Sequence, residues 1–334
     1  MWIAKPIDSL TEAEKKKWIQ TQQKFELAGI DFPFSQTLTW AQGIRSLLKP
    51  VFLVFSLEEG VGGIVYIHDL NSKKIQFECI NGPMIHWHDP QQVMRQLATF
   101  AMAVSKLDRN FGSLMIKPRW LKSQSATFMK NLAIAPFEVT EAATLQLPVF
   151  SDERCQWDLL SPRLRRTLKN SKKFQITKTI EKMTSKNLEE FFIKMEKFSK
   201  SKNFEIPPFQ WFQALTQENS ASRDEGILFR MISSQVEQDE AHRAEASLLM
   251  ATLRNKAYYL FGNQITNARA ALSPSSLVQW EALSFCRENQ IHSYDLNGYV
   301  DEVSKEHSYA GVCQFKGQMG GTLIQYQVPE FRIA

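Results

Sequence analysis

The chain has 334 residues, 43% hydrophobic and 22% charged, with a net charge of +5. That length suits about two domains, and the composition excludes a disordered chain. Four scattered cysteines without a C-x-x-C pair exclude a disulfide framework or zinc knuckle, and no apolar run is long enough for a transmembrane helix.

Residues 1–8 lack the apolar stretch of a secretory signal, so a cytoplasmic protein is expected. Strand-like runs follow at 51–57 and 63–67, with Glu58-Glu59-Gly60 as the turn between them. A third run, 74–80, stops at Asn81-Gly82-Pro83. His86 and His88 would share a face if their segment were a strand, but no third ligand has metal-site spacing, so no metal is expected. Asp89-Pro90 caps a helix over 91–107, in which Val93, Leu97, Phe100, Ala101 and Val104 recur at helical steps. A strand at 113–118 closes this set.

A linking stretch near 145–160 leads into a basic helix, then a helical pair over 187–217 separated by Pro207-Pro208. The second half repeats the order of the first. It has strands at 227–232, 246–251 and 257–262, a helix opened by Ser273-Pro274, and a strand and turn at 293–298. A last strand is expected at 321–326. Corresponding elements lie about 180 positions apart, which predicts two similar mixed α/β domains.

Two segments carry chemistry. Residues 161–173 hold Arg163, Arg165, Arg166, Lys169, Lys172 and Lys173 with no acid among them. Ser161-Pro162 opens that helix, and Arg165, Lys169 and Lys172 share one face, with Leu164 and Leu168 turned away from it. Such a face binds phosphate, diphosphate or an RNA backbone. It lacks interleaved aromatics, so no sequence-specific reading of RNA or DNA is expected. The other segment is Phe315-Lys316, followed by Gly317, Gly320 and Gly321. Glycines allow close backbone approach, and a lysine beside them suits negative charge developing on an acyl carbonyl. His242, His292 and His307 stand alone. The chain has no Walker loop, dinucleotide fingerprint or G-x-S-x-G.

Taken in order, these segments resemble the FemABX family of peptidoglycan aminoacyltransferases. Phe34-Ser35-Gln36 with Trp40 is similar to its F-x-Q-x-x-x-W, Gly82-Pro83-Met84 to R-G-P-V, and the basic helix to R-x-x-R/K-K. Tyr258-Tyr259-Leu260-Phe261-Gly262 resembles Y-Y-x-Y-G, and 276–281 resembles L-x-W-E. Residues 294–298 resemble Y-D-x-G-G, and Phe315-Lys316 with Gly320-Gly321 resembles F-K-x-x-F-G-G.

The resemblance implies two tandem GNAT-like N-acyltransferase domains with a cleft between them, of the compact type without a helical arm. Their expected spans are 1–148, completed by 318–334, and 149–317. It implies attack by an amine of a muramyl-peptide precursor on the ester of an aminoacyl-tRNA. The donor is then a co-substrate and no cofactor is implied. A lipid-linked precursor would bring peripheral membrane contact. By the same resemblance Lys316, with the Phe315–Lys316 peptide, stabilises the oxyanion. Arg165 and Arg166, joined by Lys169 and Arg45, hold the diphosphate. Gln36 lies in the entry motif and Tyr259 on the strand lining the cleft. The family often has arginine before Gly-Pro and an aspartate soon after; here Asn81 and His86 stand there, and His86 is the candidate base. That altered site also motivates an alternative, a GNAT-type acyltransferase using acyl-CoA or acyl carrier protein on another amine. A non-catalytic module that kept the fold is a third reading.

Overall fold

A computed structural model describes residues 1–334 except 31, 48, 70–72, 133, 218–219, 237–243, 267–272 and 301–309. His242 and His307 therefore lie outside the described residues. In chain order the elements are β1 (Trp2–Pro6), α1 (Glu12–Leu27), α2 (Leu38–Ser46), β2 (Val51–Ser56), β3 (Val61–Asp69), β4 (Ile75–Ile80) and α3 (Pro90–Ser105). Next come β5 (Phe111–Lys117), β6 (Trp120–Leu121), α4 (Lys122–Lys130), β7 (Glu138–Pro148), α5 (Glu153–Leu159), α6 (Pro162–Ser171) and β8 (Ile176–Lys182). Then follow α7 (Ser185–Lys202), α8 (Phe209–Thr216), α9 (Ser220–Glu225), β9 (Ile227–Val236), β10 (Ala244–Leu253) and β11 (Lys256–Thr266). The last are α10 (Pro274–Glu288), β12 (Ser293–Asp295), α11 (Ala310–Gly317) and β13 (Thr322–Ile333).

The chain divides into two compact units. The first comprises Met1–Ala142, Asn219–Glu225 and Gln325–Ala334; the second comprises Ala143–Glu218 and Gly226–Ile324. The first takes in 219–225, which the sequence places within 149–317. Each unit is a mixed α/β structure.

In the first unit the strand order is β1-β2-β3-β4-β5-β13, with β6 also pairing β13. Neighbours are antiparallel except β4 and β5. A parallel pair needs a crossover, and α3 supplies it. The Asp89 carboxylate accepts from the backbone N–H groups of Gln91 and Gln92, and Pro90 fits the first turn. The α3 stripe of Val93, Leu97, Phe100 and Val104 is buried against the sheet, each side chain contributing about 1.5–3 kcal/mol. Thr11 and Glu14 form a capping box that starts α1, which buries Trp18 and Phe25.

The first unit also takes in a buried carboxylate from far along the chain. Glu225, at the end of α9, accepts from the N–H groups of Leu38 (2.7 Å) and Thr39 (2.9 Å) at the start of α2. It also accepts from the Thr39 hydroxyl (2.7 Å) and the Gln22 amide (2.9 Å). The positive end of α2 therefore faces a negative side chain. Burial pushes the Glu225 carboxyl above its ordinary value, against these four donors.

In the second unit the order is β7-β12-β11-β10-β9-β8, antiparallel except for β11 and β12. Every residue of β10, at the centre, is buried, as expected of a strand covered on both faces. Here α10 is the crossover helix. The order of strands, helix and parallel strand thus occurs once in each unit, as the repeat in the sequence predicts.

Three local readings change. Residues 85–88 do not form a strand; Met84 makes an isolated bridge with Gly62, and Trp87 and His88 lie in a turn. β3 begins at Val61, two residues before the run read from the sequence, so Gly62 lies in the strand. The last strand runs on to Ile333.

Candidate functional site

In the second unit the parallel pair β11–β12 ends in a turn that holds a lysine. After Asp295 the chain passes through Asn297 (φ +48°) and Gly298 (φ +44°), both in the left-handed region. The second suits glycine, and asparagine is one of the few other residues that visit this region readily. The Asn297 N–H donates to Asp295 Oδ1 at 2.8 Å, and its amide Nδ2 donates to the Tyr259 carbonyl at 2.8 Å. Thr144 donates its hydroxyl to the same Asp295 oxygen. With the turn fixed, the carbonyls of Asn297 and Gly298 both accept from Lys316 Nζ, the second at 2.8 Å.

Lys316 arrives on the last turn of α11. The chain then bends through Gly320 (φ +76°), where a Cβ would collide with the Leu159 carbonyl. Ser161 N–H donates to the Gln318 carbonyl at 2.9 Å, and Met319 is fully buried. The glycines after Lys316 therefore serve a tight return of the chain that pins the end of α11.

Lys316 is 5% exposed. Burial lowers its ammonium to about 8, although Cys313 and Asp295 act in the opposite direction. The ring of Tyr259 stands 5.4 Å from Nζ, within cation–π range. Burial raises the Tyr259 phenol to about 12, so it stays protonated at neutral pH. These groups line a cavity of about 550 Å³ together with Phe315, Asn297, Gly298 and Phe261. That volume accommodates a small organic group. An ammonium has three N–H bonds, and the two carbonyls take two of them. The arrangement places a buried cationic donor at the wall of a cavity, where it can stabilise an oxyanion without being reorganised.

The basic helix is in the same unit. Ser161 caps α6 through the Leu164 N–H, and Leu164 and Leu168 are buried, as the spacing predicts. Arg165 is about one-third exposed and 3.7 Å from Asp158; Arg166 and Lys169 are exposed. They present cations to solvent.

Gln36, Arg45 and His86 belong to the first unit. Gln36 is 1% exposed. Its amide donates to the Ile80 carbonyl at 2.6 Å and accepts from the Ile64 N–H at 2.8 Å, so it joins β3 to the end of β4. Arg45 pairs with Asp8 at 3.0 Å on the surface. His86 stacks on Phe25 with centroids 5.8 Å apart and has His88 at the same distance. Burial and the neighbouring His88 lower its imidazolium, which favours the neutral ring a base requires. Asn81 (φ +54°) donates to the Ser35 hydroxyl at 2.8 Å. Among the described residues no three His, Cys, Asp or Glu side chains lie close enough to hold a metal, and no helix is long and apolar enough to cross a membrane.

The parallel pair of the first unit is occupied differently. Glu78 on β4 accepts from the Tyr66 hydroxyl at 2.7 Å and from Lys117 on β5 at 2.8 Å. Lys117 also meets Glu330 at 2.9 Å. Burial would raise the Glu78 carboxyl, but Lys117 and Tyr66 hold it below its ordinary value.

Asn297 is the site residue that sequence reasoning missed. Its signal was an asparagine before glycine just after a short strand, the usual mark of left-handed backbone.

Residues 216–333 match the profile of the FemAB family. Curated relatives include lipid II:glycine glycyltransferases of Staphylococcus epidermidis and Staphylococcus haemolyticus. Each is 31% identical over 77 residues, which is 23% of this chain and 18% of the relative. The match thus spans under a fifth of the relatives' length. Among solved structures, FemX superposes with a TM-score of 0.73 at 13% identity, over 98% of this chain and 96% of FemX. The C-terminal domain of a putative lysylphosphatidylglycerol synthetase from Agrobacterium fabrum gives 0.51 at 10% identity, over 94% and 92%. The chain has the fold of these proteins.

Proposed function

We propose that the chain, whose residues 216–333 match the profile of the FemAB family, is an aminoacyltransferase acting on an amine of a muramyl-peptide cell-wall precursor. The curated relatives are named for transfer of glycine to lipid II, which supports this acceptor class. The observation that carries the reading is Lys316: a buried ammonium, held by two carbonyls, at the wall of the cavity.

In the proposed reaction the donor is an aminoacyl-tRNA, and the reaction takes place in the cytoplasm. The precursor's amine attacks the ester carbonyl. The new C–N bond forms as the C–O bond to the terminal ribose breaks, and the amine's proton passes to the released ribose hydroxyl. Lys316 stabilises the oxyanion in between through its remaining N–H. No covalent enzyme intermediate is required; the protein contributes position and charge. Arg165, Arg166 and Lys169 bind the precursor's diphosphate, a role suited to exposed guanidinium groups. His86 in its neutral form is the proposed base.

The test is transfer of a labelled amino acid. Purified protein is mixed with total charged tRNA and UDP-linked muramyl pentapeptide, and extended precursor is sought by mass spectrometry. Product abolished by ribonuclease supports the reading and reveals the amino acid. Absence of product from folded protein, with product formed instead from acyl-CoA and an amine, refutes it.

A further inference from the structure

Tyr259 and Gly262 are three positions apart on β11, and on a regular strand such residues face opposite sides. They do not here. The pairing of β11 with β10 slips: Leu249 opposes Phe261, and the next residue, Met250, opposes Tyr259. Leu260 is therefore an extra residue in β11, a bulge that turns Tyr259 onto the face of Gly262. The phenol ring lies across the glycine. A Cβ at position 262 would fall inside contact distance of Tyr259 Oη, and would stand 3.0 Å from Cε2 and 3.1 Å from Cζ. The Gly262 backbone is not left-handed. What glycine supplies at this position is empty space.

The ring seated there is the one over which Lys316 Nζ stands at 5.4 Å. The Tyr259 carbonyl also takes the Asn297 amide, whose own carbonyl takes Lys316. Two chains of contact thus lead from Tyr259 to the ammonium, one through the ring and one through the turn after β12.

We infer that Gly262 is a positioning residue: the space above its Cα seats the Tyr259 ring, and the seated ring fixes where the Lys316 ammonium stands in the cavity. The effect on turnover rests on the aminoacyl-transfer reading. The seating itself is measured without substrate.

The experiment compares Gly262→Ala, Tyr259→Leu and the double variant Gly262→Ala with Tyr259→Phe, each checked for folding by circular dichroism. The first readout is the pH dependence of Lys316 acetylation by trace acetic anhydride, followed by mass spectrometry. The second is kcat and KM for aminoacyl transfer. Displacing or removing the ring changes both the ammonium's exposure to water and its cation–π contact, so its titration midpoint moves away from about 8 in Gly262→Ala and in Tyr259→Leu. Turnover falls about tenfold with KM little changed, because positioning is lost and binding is not. In the double variant the phenol oxygen, the atom in worst collision, is gone, and at least half of each change is reversed. Such non-additivity marks direct contact between the two sites.

An unchanged Lys316 midpoint in either folded single variant overturns the inference, as does failure of Tyr259→Phe to rescue Gly262→Ala. If Gly262→Ala does not fold, Tyr259→Leu decides the matter. If the parent protein transfers nothing, the functional reading fails while the acetylation profile still decides the seating.

Discussion

The two units are built alike and use their polar residues differently. Each has a parallel strand pair bridged by a crossover helix. In the first, the groups at that pair bind one another: Glu78 is met by Tyr66 and Lys117, and Gln36 joins the neighbouring strands through both ends of its amide. In the second, a buried lysine is held by two backbone carbonyls beside a cavity. A buried charge that meets an opposite charge stabilises a frame. One hydrogen-bonded to backbone carbonyls rather than to a carboxylate keeps its field available to a ligand. The same arrangement of strands thus serves as scaffold in one unit and as candidate reaction site in the other.

The sharpest way to break that contrast is to remove a frame carboxylate. Glu225→Ala strips four donors at the start of α2 of their acceptor. Urea unfolding should show a loss of about 3–5 kcal/mol. A smaller loss from Glu225→Gln, which keeps one acceptor oxygen, would locate the cost in those hydrogen bonds.

Lys316→Ala should do the opposite, lowering turnover by about 10²–10³-fold with little change in stability. Wild-type turnover in that variant would remove the oxyanion role. The pH dependence gives a sign to check. The folded lysine loses its proton near pH 8, below the ordinary lysine value of 10.5. Turnover should therefore decline as pH rises through about 8. Between 8 and the ordinary value the unfolded chain binds more protons, so stability should rise over the same window. In Lys316→Met both trends should disappear.

Arg165→Ala combined with Arg166→Ala tests the exposed cations of α6. Their loss should raise the KM for the precursor about tenfold and leave kcat and the melting temperature nearly unchanged. An unchanged KM would leave the diphosphate without its proposed binders. The smallest expected effect is that of Asn297→Ala, which places alanine in left-handed backbone and breaks the bond to the Tyr259 carbonyl. It should cost about 1–2 kcal/mol by thermal unfolding, and Asn297→Gly less.

Features set by neighbours along the chain are legible in the sequence alone. Asp89-Pro90 and Ser161-Pro162 open helices, and Leu164 and Leu168 turn inward, because caps and helical periodicity act over a few residues. The repeat is legible because each unit carries the same run of strands and crossover helix. Features set by distant partners are not. Nothing near Glu225 announces that its carboxylate closes on a helix 186 positions away. The slip that turns Tyr259 over Gly262 depends on how β10 meets β11, and no alternation pattern within β11 reveals it. Gln36 reads as part of an entry motif, whereas its burial and two backbone partners emerge only when β3 and β4 are paired.

The chain's path also sets an order of events during synthesis. The first unit is completed by 219–225 and by 325–334. A ribosome that has released residues 1–142 has delivered most of that unit but not the acceptor for the start of α2 or the strand beside β5. The second unit lies between these pieces in the chain and can assemble first. Segments of a nascent chain usually fold in the order they emerge. Here the unit begun first is the one finished last, and until β13 emerges the outer edge of β5 is left open to whatever strand it meets.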